Sequence, residues 1–315
     1  MNEATNTRGL ISVVVGGQNV RGTYHKPRVP AAFSGKSRGD SKRVGIVFLN
    51  SGFLPRAAAG DSAVYWAEAL ANCGYPCFRF DLPGLGDSDG KAPEGILDYI
   101  NAGGYSPVLS ATVKWVVKRY ELSSAVIIAH CAGGVSAVFA AASTKECSGL
   151  VVMDPYFHLP KVERPTIRKG ISAWVSWSKL GAGVSYLYDR MRYVRLLLKR
   201  NRLPENANLP LIRCWRQLLS EGLPILILKA PGLKTRGLKP RMGEFDYLTY
   251  IQTLGGRNRR LTVKLVDRTN HSFADDVGRR AVREQTEQWL RSTFGFAEPA
   301  KAEKMYEAVN SPQLG

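Results

Sequence analysis

Acidic side chains are scarce in this sequence. Twenty-six Asp and Glu stand against 44 Lys and Arg, a formal charge of +18, and such an excess favours polyanionic or acidic neighbours over basic ones. Neither a zinc-ligand spacing nor a basic region followed by heptads is present, so no specific nucleic-acid binding is expected. Apolar runs fall short of the roughly 18 residues that a membrane span requires. The opening MNEATNTRGL has no basic stretch leading into a long apolar one, so no signal peptide is expected. Cysteine is sparse, odd in number and irregularly spaced: Cys73, Cys77, Cys131, Cys147 and Cys214. That argues against a disulfide framework, and Cys73 and Cys77, with no second cysteine pair to complete a metal site, read as packing residues. A reduced cytoplasm is the expected compartment. No cofactor and no metal are expected.

What is present fits an ordinary globular chain. With 44% hydrophobic and 22% charged residues in 315, the composition excludes disordered and fibrous classes, and the length suits one large α/β domain carrying an inserted piece. Apolar, β-branched runs bounded by Gly, Pro and charge predict strands at 10–16, 20–25, 44–49, 76–80, 125–130, 149–153, 224–229 and 261–267, with helical segments between many of them. That alternation signals a mainly parallel, eight-stranded α/β sheet. Residues 1–154 and 217–297 read as this core and 298–315 as a loosely ordered tail. Between them, 155–216 read as an inserted helical cap, with thirteen Lys and Arg against three Asp and Glu. Trp174, Trp177, Tyr186, Tyr188 and Tyr193 interleave with its basic residues, a pattern that fits either a pocket cover or weak contact with an anionic membrane.

The decisive segment runs from Ala125 to Ala142: a β-branched strand, then Ala129-His130-Cys131-Ala132-Gly133-Gly134, then a helix of small residues. It has the form of a nucleophile elbow, a strand-to-helix turn so sharp that the residues two before and two after the nucleophile must be small. Ala129 and Gly133 meet that demand, and the helix N-terminus behind Cys131 favours thiolate over thiol. His271, in LVDRTNHSFAD after the last predicted strand, is the candidate base, since the order nucleophile first and histidine last is that of one triad scaffold and not of the others. The oxyanion hole is expected from the backbone N–H of Ala132 and that of Phe53, in the loop Leu49-Asn50-Ser51-Gly52-Phe53-Leu54. Arg56 is positioned to hold a carboxylate or phosphate, and His130 to line the pocket. Asp81 to Gly90, glycine-rich after a strand, reads as a structural bend.

The acid is harder to place. The turn after the seventh strand, Lys229-Ala230-Pro231-Gly232-Leu233-Lys234, holds no carboxylate. Asp154, directly after the sixth strand, ranks first, ahead of Asp246 and Glu244, and a dyad without an acid is the further alternative.

NSGFLPRAAAG, GYPCFRFDLPGLGDSDG, AHCAGG and NHSFAD resemble the bacterial α/β-hydrolases that include the exosortase-associated hydrolases, some of which also carry cysteine at the elbow. The resemblance covers about residues 44–154 and 224–292. It leaves the cap unmatched, and implies an α/β-hydrolase fold and a hydrolase or acyltransferase site on Cys131 and His271. The elbow alone is also similar to the lipase-like box of polyhydroxyalkanoate synthases. The expected substrate is a small acyl ester or thioester, with coenzyme A or an acidic carrier protein as candidate acyl bearers for so basic a chain. Two alternatives stay open: an acyltransferase with a non-water acceptor, and a non-catalytic protein that keeps the fold to bind a ligand.

Overall fold

Strand formation follows the apolar runs closely. The computed structural model describes residues 7–28, 43–49, 52–159, 203–231, 245–255 and 260–294. Its eight strands are β1 (Arg8–Val15), β2 (Gln18–His25), β3 (Val44–Leu49), β4 (Cys77–Phe80), β5 (Ser124–His130), β6 (Cys147–Met153), β7 (Ile225–Lys229) and β8 (Leu261–Leu265). Each lies within two residues of the ends expected from sequence. They form one sheet in the order β1-β2-β4-β3-β5-β6-β7-β8. β1 pairs with β2, and β2 with β4, in antiparallel fashion; all other pairs are parallel.

The inner strands are apolar on both faces because both are covered. In β5, Ala125, Ile127 and Ala129 join one hydrophobic core while Val126 and Ile128 join the other. β6 and β7 repeat the alternation, with Leu150, Val152, Ile225 and Ile227 against Val151, Met153, Leu226 and Leu228. The first core is closed by α3 (Ser106–Arg119), α4 (Ala132–Ala141), α5 (Leu209–Ser220) and Ile251 of α6 (Tyr247–Gly255). The second is closed by α1 (Ser62–Asn72) and α7 (Asp276–Phe294), through Trp66, Leu70, Val282, Trp289 and Leu290. A short α2 (Ile96–Asn101) lies before α3.

Of the segment 155–216 expected to be an insertion, 160–202 lie outside the described residues, as does the tail from 298. The described end of that segment enters α5, whose Leu211 and Trp215 pack in the same core as α4. Its N-cap is Asn208, whose side-chain oxygen accepts from the N–H of Leu211 at 3.1 Å, satisfying a donor that the helix itself cannot.

Chain direction places the site. β4 and β5 flank β3, and the connections leaving β3 and β5 go to opposite faces: toward α1 after β3, into α4 after β5. A crevice at the carboxyl ends of the strands is the usual result of such a switch. Gly52, after β3, lies against the first residue of α4: a Cβ built on it would sit 3.5 Å from that of Ala132.

On the antiparallel side, Arg79 of β4 is buried and donates from Nε to His25 Nε2 at 2.9 Å and from Nη1 to the Arg56 carbonyl at 2.8 Å. His25, 1% exposed, must stay neutral to accept that bond; burial first, then the charges of Arg79 and Arg8, lower its pKa to about 4. A base depressed in the folded state contributes stability that is present above its unfolded pKa near 6.5 and is lost as pH falls toward about 4. The melting temperature should therefore drop between pH 7 and pH 4.5, His25 contributing up to about 3 kcal/mol. His25→Gln, which keeps an acceptor for Arg79 but cannot titrate, should flatten that acid limb in a calorimetric series. An unchanged limb would assign the acid sensitivity elsewhere.

Candidate active site

The turn between β5 and α4 carries its strain at one residue. Cys131 has φ 51° and ψ −118°, a conformation costly for any side chain and retained where the surroundings over-determine it. Here its N–H donates to the Met153 carbonyl on β6 (2.9 Å), and its carbonyl accepts from Gly134 N (2.9 Å). Buried small residues make room: Ala129, Ala132, Gly133 and Gly134 have almost no exposed surface. Cys131 itself is only half-buried. In the other four cysteines, all free, burial pushes the thiol up: Cys73 to about 11, Cys147 to about 12, Cys77 well above the usual value and Cys214 in the same direction.

The loop after β8 brings His271 to Cys131. Asn270 shapes it by accepting from the N–H and hydroxyl of Ser272, at 2.8 and 2.5 Å. Asp275 then receives the Thr269 hydroxyl (2.6 Å) and the Gly278 N–H (2.8 Å) at the start of α7. His271 Nδ1 donates to Asp154 Oδ2 at 2.7 Å, and its side chain is also hydrogen-bonded to Cys131. The bond to Asp154 first, and that to Cys131 second, raise the His271 pKa to about 9.

Asp154 is thus the carboxylate that reaches the imidazole. Its side chain is 4% exposed, and burial works against its charge, but bonds from His271 and Lys229 outweigh this and lower its pKa. Oδ1 accepts from Lys229 Nζ at 2.5 Å and from the N–H of Ala230 at 3.2 Å. The residue at the end of β7, where a carboxylate is missing, therefore supplies a cation to the one on β6. Asp246 is occupied locally, accepting from the Thr249 N–H and hydroxyl (2.9 and 2.6 Å) at the start of α6. Glu244 lies outside the described residues.

A cavity of about 530 Å³ opens over the sulfur, lined by Gly52, Phe53 and Leu54 after β3, by Leu97 and Asn101 of α2, and by His130, Cys131, Tyr156, His158 and His271 among others. His130 lines it as expected, and also donates from Nε2 to the His271 carbonyl at 2.6 Å. Burial, then the charge of His271, lowers its pKa to about 4, so it is a neutral prop for the histidine loop. Ala132 and Phe53 both border the cavity, Phe53 with a largely exposed ring. As the first residue of α4, Ala132 has an N–H with no acceptor inside its helix.

Arg56 is not brought into the cavity. Its guanidinium binds the buried Asp81 and also Asp87 (2.7 Å) and Thr23 (3.1 Å), while its N–H donates to Asp81 Oδ1 at 2.6 Å. The glycine-rich bend exists to allow this: a Cβ on Gly86, at φ +53°, would stand 2.3 Å from the Asp81 carboxyl carbon. Arg56 therefore clamps the loop that carries Phe53 onto the end of β4. Sequence reasoning also passed over Asn101, Tyr156, His158 and Lys229. For Tyr156 and His158 a signal existed, because both follow Asp154 at alternate positions. Among the described residues no cluster of His, Cys, Asp or Glu could hold a metal ion, and no helix is long and apolar enough to cross a membrane.

A family model described as the alpha/beta hydrolase fold matches residues 46–178. No curated protein matches the sequence. Among solved structures, an esterase of Pyrococcus furiosus superposes with a TM-score of 0.57 at 14% identity, over 91% of this chain and 91% of its own. The α/β hydrolase GrgF from a Penicillium species gives 0.54 at 15%, over 92% and 99%. Est1E from Butyrivibrio proteoclasticus, solved with ferulic acid bound, gives 0.52 at 12%, over 90% and 99%. The chain has the α/β-hydrolase fold.

Two outcomes follow. Arg56→Met should destabilise the fold by about 3 kcal/mol, the usual cost of leaving a buried carboxylate without its cation, as read from urea unfolding. Asp154→Asn should lower the His271 pKa from about 9 toward the ordinary 6.5 in an NMR titration of the imidazole. A His271 signal that does not move would show that Asp154 does not govern it.

Proposed function

We propose that the protein is an acyl-transfer hydrolase acting on a small ester or thioester through a covalent intermediate on Cys131. The observation that carries this reading is the chain of contacts Cys131–His271–Asp154, with the sulfur on a strained turn at the floor of a cavity. The esterases of like fold and the motifs similar to exosortase-associated hydrolases support it.

In this reading His271, with its raised pKa, rests as an imidazolium, and a cysteine so paired reacts as the thiolate. The sulfur attacks the carbonyl carbon, a C–S bond forms, and the carbonyl π pair moves to oxygen. That oxyanion is received by the N–H groups of Ala132 and Phe53. Collapse breaks the bond to the leaving group, which takes its proton from His271. The neutral imidazole then accepts a proton from water, and the hydroxide so formed attacks the acyl-enzyme. Loss of the thiolate releases the acid and restores the imidazolium. Asp154 holds the imidazole in the tautomer and orientation that both half-reactions use.

A cysteine nucleophile suits thioester substrates, since the intermediate is itself a thioester. With a net charge of +18, an acyl group borne on coenzyme A or on an acidic carrier fits this chain. An acyltransferase differs only in the acceptor of the second half-reaction. The other reading, a non-catalytic protein that binds a ligand, would have no use for a carboxylate held against the histidine, and the bond between His271 and Asp154 supports the enzyme. The aromatic and basic residues read as a membrane-facing cap lie outside the described residues.

Incubation with p-nitrophenyl esters and acyl thioesters should give turnover, and a mass increase equal to the acyl group on the peptide containing Cys131. Cys131→Ala should abolish both, and His271→Ala should reduce turnover by about three orders of magnitude or more. Because His271 loses its proton as pH rises through about 9, kcat/KM should fall there, and Asp154→Asn should move that limb down. Absence of turnover and adduct across the panel would overturn the assignment.

A further inference from the structure

The cavity over Cys131 is walled largely by carbon, from Phe53, Leu54, Ala59 and Leu97 among others. Besides the Cys131–His271 pair, Asn101, His130, Tyr156, His158 and Ser272 interrupt that lining, and two of these stand apart. Asn101 is 4% exposed, and among the described residues neither the nitrogen nor the oxygen of its carboxamide has a hydrogen-bond partner; the buried hydroxyl of Tyr156 has none there either. Leaving such groups unpaired forfeits the hydrogen bonds they made with water, and each one calls for an explanation.

The pair is also held in place. Asn208, 1% exposed, donates from its side-chain nitrogen to the Asn101 carbonyl at 2.9 Å, and its own N–H donates to the Phe157 carbonyl at 2.8 Å. One buried residue thus ties the end of α2 to the residue after Tyr156. Tyr156 also lies near enough to the sulfur that, after burial, the charge of Cys131 raises its pKa, to about 12, which keeps it a hydroxyl at neutral pH.

The arrangement favours one part of a substrate and one kind of group. His271 is 58% exposed along its side chain, so the leaving group it protonates departs on the open side, and what reaches the sealed Asn101 is the acyl part. Apart from the reacting Cys131–His271 pair, the described residues that line the cavity include no Lys, Arg, Asp or Glu, so Asn101 and Tyr156 complement a neutral group. Both a carboxamide and a phenol can give and accept a hydrogen bond. We propose that Asn101 and Tyr156 form a polar subsite that recognises a hydroxyl or amide substituent on the acyl group, so that a plain alkyl chain is the poorer substrate.

This inference rests on the acyl-transfer reading, and two measurements separate their failures. In the first, kcat/KM is compared for matched p-nitrophenyl esters with a plain alkyl, a hydroxyl-bearing or an amide-bearing acyl chain. At least one polar ester should exceed the plain one by about tenfold or more. Tyr156→Phe and, separately, Asn101→Leu should erase most of that preference by slowing the polar ester more than the plain one. In the second, Cys131→Ala is titrated calorimetrically with methyl ketones carrying the same three chains, with and without Tyr156→Phe. The same preference should appear in binding, whether or not any ester is turned over. Binding preference without turnover would sink the enzymatic reading and leave the subsite standing. Equal affinity for plain and polar ketones, or a preference unmoved by Tyr156→Phe, would overturn the subsite. Tyr156→Phe preserves the ring, so the binding arm decides even if Asn101→Leu fails to fold.

Discussion

A carboxylate with almost no contact with water must have its charge answered, and in this protein Asp154 meets that demand with three donors from two places. One oxygen takes the Lys229 ammonium and the Ala230 N–H; the other takes His271. The first two fix the carboxylate against β7, leaving its second oxygen aimed at the histidine loop. Everything downstream depends on this division. Without it the imidazole has no reason to keep its proton to about pH 9, and the sulfur at the strained turn loses its cationic neighbour. His130 works toward the same end from the opposite side, holding the carbonyl of His271 while staying neutral itself.

The parts of the structure that sequence reveals are those set by local pattern. β-branched runs mark eight strands because both faces of the inner sheet are buried, and small residues around Cys131 mark the turn because no larger side chain fits there. The acid is different. A carboxylate after β6 and a lysine at the end of β7 acquire meaning only once those strands lie side by side, with Met153 opposite Leu228, so sequence could rank Asp154 above Asp246 but could not show its partners. Contact across the sheet supplies one of them, converting an apparent deficiency at Lys229 into part of the arrangement.

Arg56 shows the opposite case. As a lone arginine just beyond the loop expected to carry an oxyanion-hole donor it resembles an anion ligand, and its partner stands 25 residues later at the end of β4. Only the adjacency of β3 and β4 brings Asp81 beneath it. Asn101 left no trace in the sequence, because an asparagine at the end of a short helix is unremarkable until its carboxamide is found buried and without a partner among the described residues.

Five consecutive residues, Asp154 to His158, supply the buried carboxylate, the tyrosine hydroxyl and a histidine of the cavity wall, with the Phe157 carbonyl between them anchored by Asn208. Such a stretch is locked in phase. Deleting a single amino acid there would put the buried neighbour Phe157 where Tyr156 stands or draw the carboxylate off the imidazole. In this pentapeptide a change of length is therefore a change of site, whereas a replacement alters one contact at a time.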